Sequence, residues 1–225
     1  LADPSNLNSE ETIQYDAGLV KNIQSIQGVK SISAYTVQSC ILKSKQDIEG
    51  LLFKGITDSI QNNSMNPYLQ QGKNIQFPST GYSSDIMISS STAGSLGLSV
   101  GSDVIIYFLI HGDAQPRARK VTISGIYKTG LEEYDNLFAI CDARLINHIN
   151  RRNDSSIHGY EIYVNKKQDK ADIEQDIYSH YTKPPLQTYL IEKRFENVFS
   201  WLGMMQMNER IIILIMLIIA VINMI

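Results

Sequence analysis

"VKSISAYTVQSCILKSKQDIEGLLFKGIT", residues 29–57, decides how this chain folds. It reads as two strand-like runs joined by the polar bend "KSKQD" at 43–47. Upstream, "NLNSEETIQYDAGLVKNIQSIQG" reads as a helix. Asn8 caps it, Glu11 closes a capping box, Ile13, Ala17, Val20 and Ile23 line one face, and Gly28 ends it.

Downstream, residues 58–84 are rich in Asn, Gln, Ser and Gly and predict surface turns. "DIMIS" (85–89) is a short strand, and "SSTAGSLG" (90–97) a short helix capped by a serine. "LSVGSDVIIYFLI" (98–110) is a turn feeding an apolar strand. "HGDAQPRAR" (111–119) is a polar, proline-containing connection. "KVTISGIY" (120–127) alternates, with Val121 and Ile123 on one face. "NLFAICD" and the helix "ARLINHIN" follow. After the polar break "RRNDSS" come strand "GYEIYVN" (159–165), helix "KADIEQDIYSHY" (170–181) and strand "LQTYLI" (186–191). Ile173, Ile177 and Tyr181 recur on that helix, and Pro184 and Pro185 stop it.

Both ends thus carry helix-then-strand units, and the middle is mainly β. The expected class is α+β: a split α/β (βαβ) subdomain built from both ends, interrupted by a β-rich insertion.

The ending, "IIILIMLIIAVINMI" at 211–225, has no polar face at helical spacing. It is shorter than the ~20 residues that cross a bilayer. It predicts the first two thirds of a transmembrane helix; a buried core helix is the alternative. Just before it, Phe195, Val198, Phe199, Trp201, Leu202 and Met205 make an apolar face. Trp201 falls at the expected water–lipid boundary. Asn223 is expected to pack against another helix, where its amide is satisfied. The chain opens on Leu1 with no charged-then-apolar leader, so both ends read as cuts through something longer.

No chemistry is expected on this chain. Its 225 residues carry a net charge of −3 and no Lys/Arg run, which argues against nucleic acid. His111, His148, His158 and His180 are scattered, with no metal-ligand spacing. Cys40 and Cys141 stand in separate strands without a CxxC, so a zinc site is excluded and two buried thiols are the default, with a disulfide in an oxidising compartment the alternative. Gly94, Gly97 and Gly101 do not have phosphate-loop spacing and read as a helix end and a turn. Glu132, Glu133 and Asp135 in "TGLEEYDN" read as a solvated acidic turn. Ser90 and Ser91 have no base. The catalytic, cofactor and metal residues expected are therefore none.

Four segments, 28–57, 85–108, 120–150 and 195–225, together resemble the FtsX/MacB-type ABC transporter permeases, nearest the lipoprotein-releasing LolC/LolE branch. The resemblance implies a bacterial inner-membrane permease subunit with four transmembrane helices, its folded domain in the periplasm between the first and second. Residues 1–58 and 156–200 would be the membrane-proximal porter. Residues 59–155 would be the inserted β-rich sabre, and 201–225 the interfacial segment and start of a truncated transmembrane helix.

The implied partners are a separate ATPase subunit, a second permease subunit in a homo- or heterodimer, membrane lipid, a lipoprotein and a periplasmic chaperone. The chaperone-capturing hook would fall on 111–119. His111, Asp113, Gln115, Pro116, Arg117 and Arg119 are the partner-binding candidates there; the shortness of the connection leaves direct substrate contact open. Pulling acyl chains into water costs ~0.8 kcal/mol per CH₂. The apolar face from Phe195 to Met205 is accordingly the acyl-contact candidate, with packing against the first transmembrane helix the alternative. MacB-like efflux, FtsX-like control of a hydrolase and a membrane-bound sensor domain are the competing readings.

Overall fold

The computed structural model describes residues 12–44, 47–57, 63–110, 115–165, 170–184, 186–191 and 216. In chain order its elements are β1 (Ile13–Gln14), α1 (Ala17–Gln24), β2 (Val29–Lys43), β3 (Ile48–Ile56), β4 (Leu69–Gly72), β5 (Asp85–Ser89), α2 (Ser90–Leu96), β6 (Asp103–Phe108), β7 (Arg117–Tyr127), α3 (Glu132–Leu137), β8 (Phe138–Asp142), α4 (Ala143–Ile149), β9 (Ser156–Ile157), β10 (Gly159–Val164) and α5 (Lys170–Tyr181). They fall into two compact units, 1–168 and 169–225.

The hairpin 29–57 is the centre of the first unit. β2 and β3 pair antiparallel from Tyr35↔Ile56 to Lys43↔Ile48. β8 lies parallel to β3, β5 antiparallel to β8, and β7 parallel to β5. β6 makes a hairpin with β7 and pairs along its other edge with β2. Strands β2, β3, β8, β5, β7 and β6 therefore close into a ring, which removes the free edges that an open sheet exposes. β10 pairs with the first half of β2, from Gly159↔Tyr35 to Val164↔Val29. β1 pairs separately with β9.

Strand alternation fills the ring. Cys40 and Leu42, Leu51 and Phe53, Ile86 and Ile88, Ile106 and Phe108, Val121 and Ile123, Ala139 and Cys141 all join one buried cluster. The Phe53 and Phe108 rings meet at 5.7 Å between centroids. Leu145, Ile146 and Ile149 from α4, and Ala93 and Leu96 from α2, complete the cluster. Each large side chain so buried contributes about 1.5–3 kcal/mol.

The two helices are placed by their caps. Ser89 Oγ accepts from the Thr92 N–H at 3.1 Å to start α2, and Gly97 ends it with φ 62°. Asp142 starts α4: its carboxylate accepts from the Arg144 N–H at 2.9 Å and the Ser83 N–H at 3.0 Å. The Arg144 guanidinium closes on it at 2.7 Å.

Several expectations need correcting. The first helix begins at Ala17, capped by Asp16 accepting from the Leu19 N–H at 3.0 Å, because Ile13 is drawn into β1 opposite Ile157. The Asn8 cap lies outside the described residues. Strand β7 begins at Arg117, so the expected connection 111–119 loses its last three residues to the ladder with β6. The acidic turn is the short helix α3, whose Asp135 is buried: it accepts from Thr129 Oγ1 at 2.7 Å and from the Thr129 and Gly130 N–H groups. In the second unit, 186–190 is not a strand. The Leu186 N–H turns back to the Lys183 carbonyl at 2.8 Å, and the Thr182 and Thr188 hydroxyls pair at 2.7 Å. The expected transmembrane segment 201–225 lies outside the described residues apart from Met216. Among the described residues no helix is long and apolar enough to cross a membrane.

Candidate functional site

Of the residues expected to bind a partner, Gln115 and Pro116 are exposed ahead of β7. Arg117 is already engaged: its Nη1 donates to the Ile149 carbonyl, placing a positive charge at the C-terminus of α4, where the helix dipole is negative. Arg119 Nη1 donates to the Ala118 carbonyl at 2.8 Å, at the surface. His111 and Asp113 lie outside the described residues, as do Phe195, Val198, Phe199, Trp201, Leu202, Met205 and Asn223.

A cluster not expected from the sequence lies on the outer face of β10, β2 and β3. Glu161 stands opposite Ser33 and Lys54 opposite Val37, so the two side chains project from one face across β2. Lys54 Nζ meets Glu161 Oε1 at 2.5 Å, with side chains 14% and 27% exposed. The Tyr163 hydroxyl donates to Glu161 Oε2 at 3.0 Å. Tyr35, Val37, Leu52 and Phe138 form an apolar bed on the same face.

Burial by itself lowers the Lys54 pKa. The Tyr134 phenol, the Glu161 carboxylate and the Tyr163 phenol outweigh it and hold the ammonium above the ordinary lysine range. Burial pushes the Tyr134 and Tyr163 phenols up. A lysine kept charged is no nucleophile, and its ion pair ties β3 to β10 across β2. The cluster's one trace in the sequence is Lys54, a cation inside the apolar run "LLFKGI".

A second polar group bridges the gap on the edge of β2 where β10 ends and β6 begins. His158 Nδ1 accepts from the Val37 N–H at 3.2 Å and lies 2.6 Å from Thr36 Oγ1. Gln38 Nε2 donates to the Leu109 carbonyl at 2.7 Å, and Asn150 Nδ2 donates to Gln38 Oε1 at 3.0 Å. The Thr–His contact resembles a nucleophile–base pair. It is buried, however, and a backbone N–H occupies the nitrogen a base would use.

Two further histidines are exposed: His148 lies against the Tyr82 ring at 4.8 Å, and His180 pairs with Asp176 at 2.9 Å. Cys40 and Cys141 are free and buried, and burial raises both thiol pKa values, which keeps them inert. Among the described residues no group of three or more His, Cys, Asp or Glu is placed to hold a metal ion.

No protein-family model and no curated protein matches the sequence. The fold is similar to the crystal structure of the extracellular domain of the noncanonic ABC-type transporter YknZ from Gram-positive bacteria. The two are 15% identical with a TM-score of 0.51, over 80% of this chain and 90% of that one. This chain has the fold of that extracellular domain. The periplasmic region of MacB from Actinobacillus actinomycetemcomitans is also similar, at 12% identity and a TM-score of 0.49, over 74% of this chain and 75% of that one.

Proposed function

We propose that this chain is the extracytoplasmic domain of an ABC transporter permease subunit, non-catalytic itself, that couples the motion of a separate ATPase subunit to work outside the cytoplasm. The shared fold with an extracellular transporter domain over 80% of the chain carries the reading. Two features of the chain support it: the Thr36–His158 contact is buried and Lys54 is held in an ion pair, and residues 211–225 are a long apolar run.

Within that function we assign release of lipoproteins from the bacterial inner membrane into the periplasm, with a second permease subunit as partner. The apolar residues Phe195 to Met205 meet lipid or acyl chains, and the connection before β7 meets a chaperone or the substrate. We assign 1–58 and 156–200 to a porter-like part and 59–155 to a sabre-like insertion. The pairings of β10 with β2 and of β1 with β9, which bring sequence-distant ends together, support this division.

Purification of the full-length protein from membranes tests the reading. An ATPase and acylated proteins are expected to come with it. An ATPase without lipoprotein moves the function to efflux or to control of a cell-wall hydrolase. Neither, with a signalling partner instead, makes the chain a sensor domain.

A further inference from the structure

His158 sits where β2 changes neighbours. On the edge of β2 away from β3, the β10 ladder ends at Gly159↔Tyr35 and the β6 ladder begins at Phe108↔Cys40. The His158 N–H extends the first ladder by one bond, to the Tyr35 carbonyl at 2.9 Å. The next group along this edge is the Val37 N–H, and a side chain answers it: His158 Nδ1 accepts it at 3.2 Å. The imidazole thus stands in for the carbonyl that a longer neighbouring strand would supply.

A backbone carbonyl accepts at every ordinary pH; an imidazole nitrogen does not. Nδ1 keeps its lone pair only while the ring is neutral with its proton on Nε2. In the doubly protonated ring, Nδ1–H would face the Val37 N–H, donor against donor. A partner for that state is already in place, because Thr36 Oγ1 lies 2.6 Å from Nδ1 and can accept from it. The corner therefore offers one contact to each protonation state. In the second state the Val37 N–H loses its acceptor, and Val37 is buried.

The polar groups at this corner are mostly uncharged. β2 presents the Thr36 hydroxyl, the Val37 N–H and the Tyr35 carbonyl, and the Tyr35 phenol stands over Gly159. On β10 the Tyr160 hydroxyl accepts the Asp16 N–H at 2.8 Å. From α4 and its end, the Asn147 amide reaches the Ser156 carbonyl and the Asn150 amide reaches Gln38. Charge is carried by the Asp16 carboxylate, which caps α1, and by Arg151, Arg152 and Asp154 in the turn before β9.

We propose that His158 is an acid-sensitive latch. Neutral, it bridges the edge of β2 between β10 and β6; protonated, it releases the Val37 N–H and turns to Thr36. The Val37 contact is complete above the ordinary histidine range, near about pH 6.5, and is lost as pH falls through it. The inference rests on this corner alone and stands whether or not the transporter reading does.

The test uses the full chain, labelled with ¹⁵N, at about pH 7.5 and about pH 5.5. Imidazole ¹⁵N spectra should show Nδ1 of His158 bare at the higher pH and protonated at the lower. Hydrogen exchange, corrected for intrinsic rates, should show the Val37 amide losing about tenfold protection between them. His158→Asn sets an amide oxygen near the place of Nδ1, which accepts without titrating, so this variant should hold its Val37 protection at both pH values. Should that variant fail to fold, the two readings on the parent chain still decide. An imidazole that stays neutral at the lower pH, an Nδ1 already protonated at the higher, or unchanged Val37 protection overturns the proposal. So does the same loss of protection in folded His158→Asn, which would assign the response to another group.

Discussion

Gly55→Ala tests how tightly α4 is seated on the ring. Gly55 lies on β3 between Thr36 of β2 and Cys141 of β8. A Cβ built there meets Thr36 Cγ2 at 2.5 Å, Ala143 Cα at 2.7 Å and Ile146 Cδ1 at 3.0 Å. Ordinary carbon contacts lie at roughly 3.5–4.0 Å. Thr36 is β-branched and buried, and Ala143 Cα is backbone in the first turn of a helix fixed by its Asp142 cap. Neither yields without moving α4. Overpacking of this kind costs about 1–3 kcal/mol, and the backbone obstacle puts this case at the upper end. Loss of glycine's freedom in the unfolded chain returns about 0.5–1 kcal/mol. The net loss is then about 1–2.5 kcal/mol. At about 2–4 °C per kcal/mol for a domain of this size, the melting temperature should fall by roughly 2–10 °C. Circular dichroism melts and urea titrations read it. Gly50→Ala on the same strand is the control: with nothing within 4 Å of its Cβ, it should stay within about 0.5 kcal/mol of the parent. A Gly55→Ala variant as stable as the parent, or a Gly50→Ala variant that loses more, would refute the close seating of α4.

Three further outcomes are expected. Glu161→Gln leaves Lys54 largely buried without its countercharge and should cost about 1–2 kcal/mol in urea unfolding, the partial exposure of the pair holding it below a fully buried one. Since the folded pKa of Lys54 is raised, its contribution is complete below the unfolded value of about 10.4 and fades only as pH rises through the folded value. The cost should therefore change little on Lys54's account between about pH 6 and 9. Arg151 holds φ 56°, a left-handed conformation that costs a residue with a Cβ about 1 kcal/mol, so Arg151→Gly should raise the melting temperature slightly. Cys40 and Cys141 should resist Ellman's reagent at pH 8 and react together on unfolding; rapid labelling of the folded protein would contradict the packing of the ring.

What the sequence made legible was what local chemistry controls. Alternation placed Val121 and Ile123 on one face, and a serine cap and a left-handed glycine bounded α2, because each depends on a few neighbouring residues. Ring closure was not legible, since the pairing of β6 with β2 joins residues more than sixty positions apart and leaves no local mark. The same holds for Lys54 and Glu161, whose partnership exists only because β10 and β3 flank β2. Arg117 looked like an exposed cation in a polar loop, and only the position of α4 turns it into a cap for Ile149. "LQTYLI" had the composition of a strand, but its Leu186 N–H turns back to the Lys183 carbonyl and its Thr188 hydroxyl pairs with that of Thr182. Of the candidate site, Gln115 and Pro116 are exposed ahead of β7.

β2 decides whether the molecule can work as a lever. Its first half carries β10 and its second half carries β6; β3 pairs along one edge without a break from Tyr35 to Lys43, while the other edge passes from β10 to β6 across residues 37–39. A bare gap on that second edge would leave residues 37–39 held by β3 alone. Instead His158 accepts the Val37 N–H, Gln38 reaches the Leu109 carbonyl, and the Leu109 N–H donates to the Ser39 carbonyl at 3.2 Å. At about 1 kcal/mol net for each hydrogen bond, these three add roughly 3 kcal/mol to what the β3 ladder already supplies. Native-state hydrogen exchange should then give the β2 amides of 31–37 and 40–43 a common opening free energy. His158→Ala strips the acceptor from a buried N–H, and should drop the 31–37 set about 1–3 kcal/mol below the other. If the two sets already exchange independently in the parent chain, β2 is a hinge, and rigid transmission along it is wrong.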